Sequence, residues 1–188
     1  MDSYIDIRLL PDPEFTAATL MNALYGKLHR ILAELKSSNI AVSFPEVDQA
    51  RPGLGSIMRL HGPQKALEEL IGRNWLQGMR DHALISDVES APKETSHIVV
   101  RRVQAKSSPE RLRRRQLRRH NLTEEEVRQR IPETVQGQKL KLPYISLKSQ
   151  STDQHFRIFI EHLPPQKHPV KGGFNTYGLS AYATVPWF

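Results

Sequence analysis

Residues 3–9, SYIDIRL, alternate apolar and polar positions, with Ile5, Ile7 and Leu9 on one side, the period-two pattern of a strand with one buried face. Pro11 and Pro13 interrupt it. From Thr16 the period changes: Leu20, Leu24, Leu28, Ile31, Leu32 and Leu35 recur at spacings of three and four, which predicts an amphipathic helix. Ile40 to Phe44 and Ser56 to Gly62 predict two further strands. PQKALEELIG, residues 63–72, predicts a short helix ended by Gly72, and another strand falls in the eighties before the polar loop SAPKETS. Strand, helix, strand, strand, helix, strand is the order of a ferredoxin-like βαββαβ unit.

The second half is patterned differently. HIVVRRVQAK, residues 97–106, is rich in β-branched residues and predicts a strand that runs into a basic region. Ser108, Pro109 and Glu110 then supply an N-cap, a first-turn proline and an acid on the positive end of a helix. A second helix start follows at Thr123, where TEEE fits the capping box, and Pro132 closes it. YISLKS (144–149) and HFRIFIEHL (155–163) predict paired strands around the turn STDQ, ahead of a glycine- and aromatic-rich end. The expected fold class is α+β: an N-terminal ferredoxin-like domain over residues 1–95, then a second half over 96–188 that carries an arginine-rich helix.

The chain has 188 residues and no cysteine, which excludes disulfides, thiolate metal sites and cysteine nucleophiles. Its first residues lack the basic flank and apolar run of a signal peptide, and no segment approaches the roughly 18 apolar residues of a membrane span, so a soluble, cytoplasmic protein without a membrane partner is expected. Net charge is +7, and much of the excess sits in residues 99–120. RLRRRQLRRH, residues 111–120, packs six arginines into ten positions. On a helix, Arg111, Arg114, Arg115, Arg118 and Arg119 fall within an arc of about 140°, with Leu112 and Leu117 turned off it. Such a face repels itself until a polyanion neutralises it, although a solvated surface helix or an import signal would carry the same charge. Arg102 and Gln104, two apart on the preceding strand, share a side; arginine can grip guanine and glutamine adenine by paired hydrogen bonds, although an ordinary edge-strand pair would look the same. An A-form groove admits side chains only where a short hairpin opens it, at the loop and the stem end, so a hairpin RNA fits an arginine helix better than a long duplex.

Candidate chemistry is sparse. His29 lies one turn after Tyr25 beside the apolar stripe, where most histidines are ordinary, and Ser149, Ser151 and Tyr177 are unremarkable singly. No His, Asp and Glu spacing fits a metal site, and no cofactor is implied. Without metal, these residue types allow one reaction on RNA: a base removes the proton of a 2′-hydroxyl, which attacks the adjacent phosphate.

The blocks DIRLLPDPEF, LMNALYGKLH, SFPEVD, RVQAKSSPERLRRRQLRRHNLTEEE, SLKSQSTDQHFRIFI, GGFNTYGLS and VPWF occur in that order. Together they make the chain resemble, over essentially its whole length, the CRISPR repeat-processing endoribonucleases of subtype I-F. The resemblance implies a C-terminal half of divergent ferredoxin-like character, and metal-independent cleavage of precursor CRISPR RNA just 3′ of the repeat hairpin. It implies His29 as the catalytic histidine, Ser149 as the serine that positions the nucleophile, Tyr177 as the active-site tyrosine, and Ser151 and Thr152 in the same cleft. It implies Arg102 and Gln104 as base readers at the foot of the stem, and Phe156 as the aromatic stacked beneath it. Arg115, Arg118, Arg119 and His120 would belong to the groove-binding helix, beside Arg111 and Arg114. The partners implied are the repeat stem-loop, the mature guide RNA, and the backbone and other subunits of a type I-F surveillance complex. Two other classes stay open: a non-catalytic cap that only binds the hairpin, and a DNA-binding regulator.

Overall fold

The alternation at the start of the chain becomes β1 (Ser3–Leu9), whose odd-numbered residues are all buried. The computed structural model describes residues 1–48, 53–104, 113–114, 116–118, 123–130, 140–149 and 153–188. These divide into two compact units, Met1–Val103 with Leu142–Phe188, and Gln104–Lys141.

In the first unit β1 leads into α1 (Ala17–Glu34), which Thr16 caps by accepting a hydrogen bond from the Thr19 amide. The leucine stripe, with Met21, Tyr25 and Ile31, is the buried face. No glycine ends this helix. Lys36 adopts φ 49°, and the Ser37 and Lys36 amides donate back to the Leu32 and Ala33 carbonyls. That is the Schellman closure, with a lysine in the place glycine usually takes. β2 (Ala41–Ser43) and β3 (Ile57–Gly62) follow, then α2 (Gln64–Gly72), β4 (Ala83–Ile85) and β5 (Glu89–Ser90). Gly72 ends α2 as expected: it is the last helical residue, and the chain leaves through Arg73 in an extended conformation. β5 ends on Ser90, the first residue of the segment expected to be loop.

All pairings are antiparallel, in the order β2-β3-β1-β4, with β5 also paired to β1. A second antiparallel sheet has the order β7-β8-β6-β9, from β6 (Ser96–Val103), β7 (Tyr144–Lys148), β8 (His155–His162) and β9 (Thr184–Trp187). The architecture is mixed α+β with two antiparallel sheets, compatible with ferredoxin-like folds. β6 stops short of the expected Lys106: its last residue is Val103, and Gln104 follows outside the strand, exposed. The strand alternation therefore does not carry Arg102's facing on to Gln104.

One apolar cluster runs through both sheets and α1, joining Ile5, Ile7 and Leu60 to Val100, Leu147 and Ile160. Near it the buried guanidinium of Arg59 meets Asp6 through two hydrogen bonds, 2.7 and 2.8 Å, and donates to the Phe188 carbonyl at 3.0 Å. The rings of Tyr4 and Phe188 flank it at 4.6 and 4.1 Å. This arrangement fixes the last residue of the chain to β1 and β3. Among the described residues no helix is long and apolar enough to cross a membrane.

In the second unit, Arg113, Arg114 and Gln116 to Arg118 are helical, and a further helix spans Glu124–Arg130. The expected capping box is present: the Thr123 amide donates to Glu126 Oε2 at 2.9 Å, and the Glu126 amide to Thr123 Oγ1 at 3.4 Å. These bonds from Thr123 hold the Glu126 carboxyl below its usual pKa.

Candidate active site and nucleic-acid interface

Tyr25 and His29 are four apart on α1 and therefore lie one above the other on the same face. Both reach the segment 174–180. The Tyr25 hydroxyl donates to the Tyr177 carbonyl at 2.8 Å, and His29 Nδ1 lies 2.9 Å from the Thr176 carbonyl. A carbonyl can only accept, so Nδ1 carries a proton, and in the neutral ring it is Nε2 that keeps the lone pair. Burial pushes the Tyr25 phenol's pKa well up, so it acts as a neutral donor.

The segment is itself braced. The Asn175 side chain accepts from the Tyr177 and Leu179 amides at 2.9 and 3.2 Å. Gly178 has φ +71°, and its carbonyl accepts from the Val42 amide at 2.9 Å. A Cβ there would stand 2.5 Å from a Val42 methyl carbon, so glycine is required both by conformation and by space. The Tyr177 ring then stacks on the imidazole, with centroids 3.9 Å apart and planes 9° from parallel. Arg102 stands over the same tyrosine ring at 5.6 Å.

The opposite wall comes from β7. The Asn22 side chain accepts from the Ser146 amide at 2.8 Å, and Gly26 has no side chain to keep Leu147 away from α1: a Cβ would meet its methyl carbon at 3.4 Å. Ile145 and Leu147 are buried, while Tyr144 and Lys148 are exposed. Continuing that alternation puts Ser149 on the α1 side. Phe156, paired with Leu147 across β7 and β8, is partly buried against the core. The turn between these strands is closed by the Ser149 amide to the Gln154 carbonyl and the Asp153 amide to the Ser149 carbonyl, both 2.9 Å. Asp153 has φ 56° and pairs with Lys148 at 2.7 Å, which sets the acid of this turn against a cation of the same hairpin.

The result is a cleft of about 800 Å³ that brings together His29, Ser149, Phe156 and Tyr177, with Asn22, Gly26, Arg30, Ser146 and Lys148 also in its lining. His29 from α1, Ser149 and Phe156 from the β7–β8 hairpin and Tyr177 from the segment 174–180 thus line one cavity. Ser151 and Thr152 lie outside the described residues, as do Arg111, Arg115, Arg119 and His120. In the second unit Arg114 and Arg118 are exposed, and neither makes an ion pair among the described residues. Half-buried Arg113 and Leu117 line a small hollow with Val127. Sequence reasoning missed the Thr176 carbonyl, the grip of Tyr25, and the Asn22 bond to β7. Only the Tyr25–His29 spacing could have signalled one of them. Among the described residues no three His, Asp or Glu side chains gather as a metal site.

A helix face, a braced segment and a strand hairpin converge on one histidine, and a separate unit carries a basic helix, a combination that fits the class of proteins handling a polyanion. Comparison with known sequences gives the family. Residues 4–188 match the model of the CRISPR-associated protein family Cas_Csy4, and the chain belongs to that family. It is 52% identical, over the whole of both chains, to the CRISPR-associated endonuclease Cas6/Csy4 of Pseudomonas aeruginosa strain UCBPP-PA14. It is 46% identical, again over the whole of both, to the protein of the same name from Escherichia coli strain UTI89.

Proposed function

We propose that this protein is a metal-independent endoribonuclease that cleaves precursor CRISPR RNA on the 3′ side of the repeat hairpin and keeps the product. Its relatives' name as CRISPR-associated endonucleases supports nuclease activity. The observation that carries the mechanism is the bond from His29 Nδ1 to the Thr176 carbonyl, in a cleft shared with Ser149 and Tyr177. It leaves Nε2 as a general base aimed by the main chain.

In the reaction, Nε2 takes the proton of the 2′-hydroxyl upstream of the cut. O2′ bonds to phosphorus and the P–O5′ bond breaks, giving a 2′,3′-cyclic phosphate and, once the 5′-oxygen takes a proton from the imidazolium or water, a 5′-hydroxyl. Ser149 holds the attacking hydroxyl in line, and Tyr177 fixes the imidazole plane. Phe156 stacks beneath the stem, Arg102 and Gln104 read bases at its foot, and Ser151 and Thr152 complete the cleft. Arg111, Arg114, Arg115, Arg118, Arg119 and His120 grip the hairpin's phosphates and groove edges. Cleavage breaks none of these contacts, so the protein stays on the product as the hairpin-end cap of a type I-F surveillance complex. The fold reading that goes with this is a ferredoxin-like domain over 1–95 and a divergent ferredoxin-like half over 96–188.

The test is incubation with repeat RNA in EDTA. Cleavage to cyclic-phosphate ends is expected, and His29→Ala should slow it by about 10² to 10⁴ while binding persists. A 2′-deoxy nucleotide at the cut should block cleavage and spare binding. Binding without any cleavage would favour the non-catalytic cap instead.

A further inference from the structure

Turning about α1 from the cleft, the next face presents Lys27, Arg30, Ile31 and Glu34, at helical spacings of three and four. With the segment after α2 this face encloses a second open groove of about 700 Å³, lined also by Arg73, Trp75 and Gln77. Arg30 and Glu34 line both cavities, so a chain leaving His29 across Arg30 enters the second groove without leaving the protein surface.

Its charges suit a phosphate backbone. Lys27, Arg30 and Arg73 face a single lining carboxylate, Glu34. Arg30 makes no hydrogen bond or ion pair among the described residues. Arg73 meets Glu34 at 3.9 Å and Glu69 at 3.6 Å, too far for hydrogen bonds, which leaves its guanidinium donors available. The Lys27 ammonium is held on the groove wall by the Gln77 carbonyl at 2.7 Å, with two further protons to give. Trp75 is half-buried in the lining, so the groove combines cations with an aromatic, the pairing found in sequence-tolerant single-strand sites.

We infer that this groove binds the phosphate backbone of single-stranded RNA flanking the hairpin, supplied by the strand that enters the stem or by the one that leaves past His29. The inference rests on reading the cleft as the cleavage site, and it adds a second contact region to it.

The test measures equilibrium binding of non-cleavable hairpins with a 2′-deoxy nucleotide at the cut: bare, with a ten-nucleotide 5′ flank, and with a ten-nucleotide 3′ flank. One flank should tighten binding by about fivefold, and the combined Lys27→Gln and Arg73→Gln variant should lose that gain while binding the bare hairpin as before. The salt dependence of flanked binding should also fall, by roughly 0.7 in log–log slope for each phosphate contact removed. The flank that confers the gain identifies the occupant. If neither flank tightens binding, or if the variant weakens all three RNAs equally, the groove is not a flank site. Failure of the wild type to bind the bare hairpin would instead overturn the function proposed above.

Discussion

At the scale of single residues, Tyr177 contributes three separable things: a ring under the imidazole, a carbonyl held by Tyr25, and a hydroxyl. Among the described residues that hydroxyl makes no hydrogen bond, whereas the ring lies flat on His29. Tyr177→Phe should therefore cleave within about threefold of wild type, and Tyr177→Ala should lose roughly tenfold or more through misplacement of the base. Single-turnover rates decide it; a large loss on Tyr177→Phe would mean that the hydroxyl touches the RNA. The resemblance implied His29 and Tyr177 for one active site, but the residues alone could not say how they meet. Their contact depends on a backbone carbonyl and on ring stacking across 148 positions, and neither leaves a trace in residue type. Arg102 is a parallel case: its β6 position was legible, but its place over the Tyr177 ring was not.

Among the elements, those marked by periodicity or capping side chains were the legible ones. Thr16 and Thr123 announced their helices because a hydroxyl that bonds an amide is a property of the residue. Helix ends were less uniform: α2 ends at Gly72 as expected, but α1 closes on Lys36, where no glycine marks the stop. The segment 174–180 shows how an unlabelled element can govern a site, since Gly178 lets it press against β2 while the Thr176 and Tyr177 carbonyls face α1. Gly178→Ala should cost about 1–3 kcal/mol in stability, because the left-handed backbone and the 2.5 Å approach to Val42 are both violated. Cleavage should fall further than binding, as the segment's carbonyls shift from His29. A denaturant melt paired with cleavage and binding assays would register this, and equal losses in both assays would contradict it.

For the whole molecule, pH separates stability from chemistry. His61 is fully buried, Nε2 bonded to Ser43 at 2.8 Å, and burial, reinforced by Arg59, holds its pKa down to about 3. His162 accepts from the Phe44 amide at 3.3 Å, and burial lowers its pKa to about 4. Both are neutral when folded and take up protons more readily when unfolded, at the ordinary value near 6.5. Their contribution is thus complete above pH 6.5, falls as the pH drops toward the folded values, and is flat below them. For His162 alone the loss amounts to about 3 kcal/mol between pH 6.5 and 4. Denaturant midpoints should decline over that window, and His162→Gln should flatten the decline. Glu46, held low by its bonds from Ser56, adds a separate acid loss below its usual range, near 4.5. A midpoint constant from pH 7 to 4 would show that both rings are reached by water. The sequence revealed the charge of the second unit and the alternation of both sheets, but not these histidines. Their burial is a product of the joint core, which no local pattern encodes.

The acceptor that aims His29 belongs to the peptide unit of residue 176 and not to its side chain. Exchanging that threonine for alanine or serine removes nothing the imidazole uses. The chemistry is thereby insulated from drift at this position, and its vulnerable points move to neighbours that shape the backbone path, above all Asn175 and Gly178.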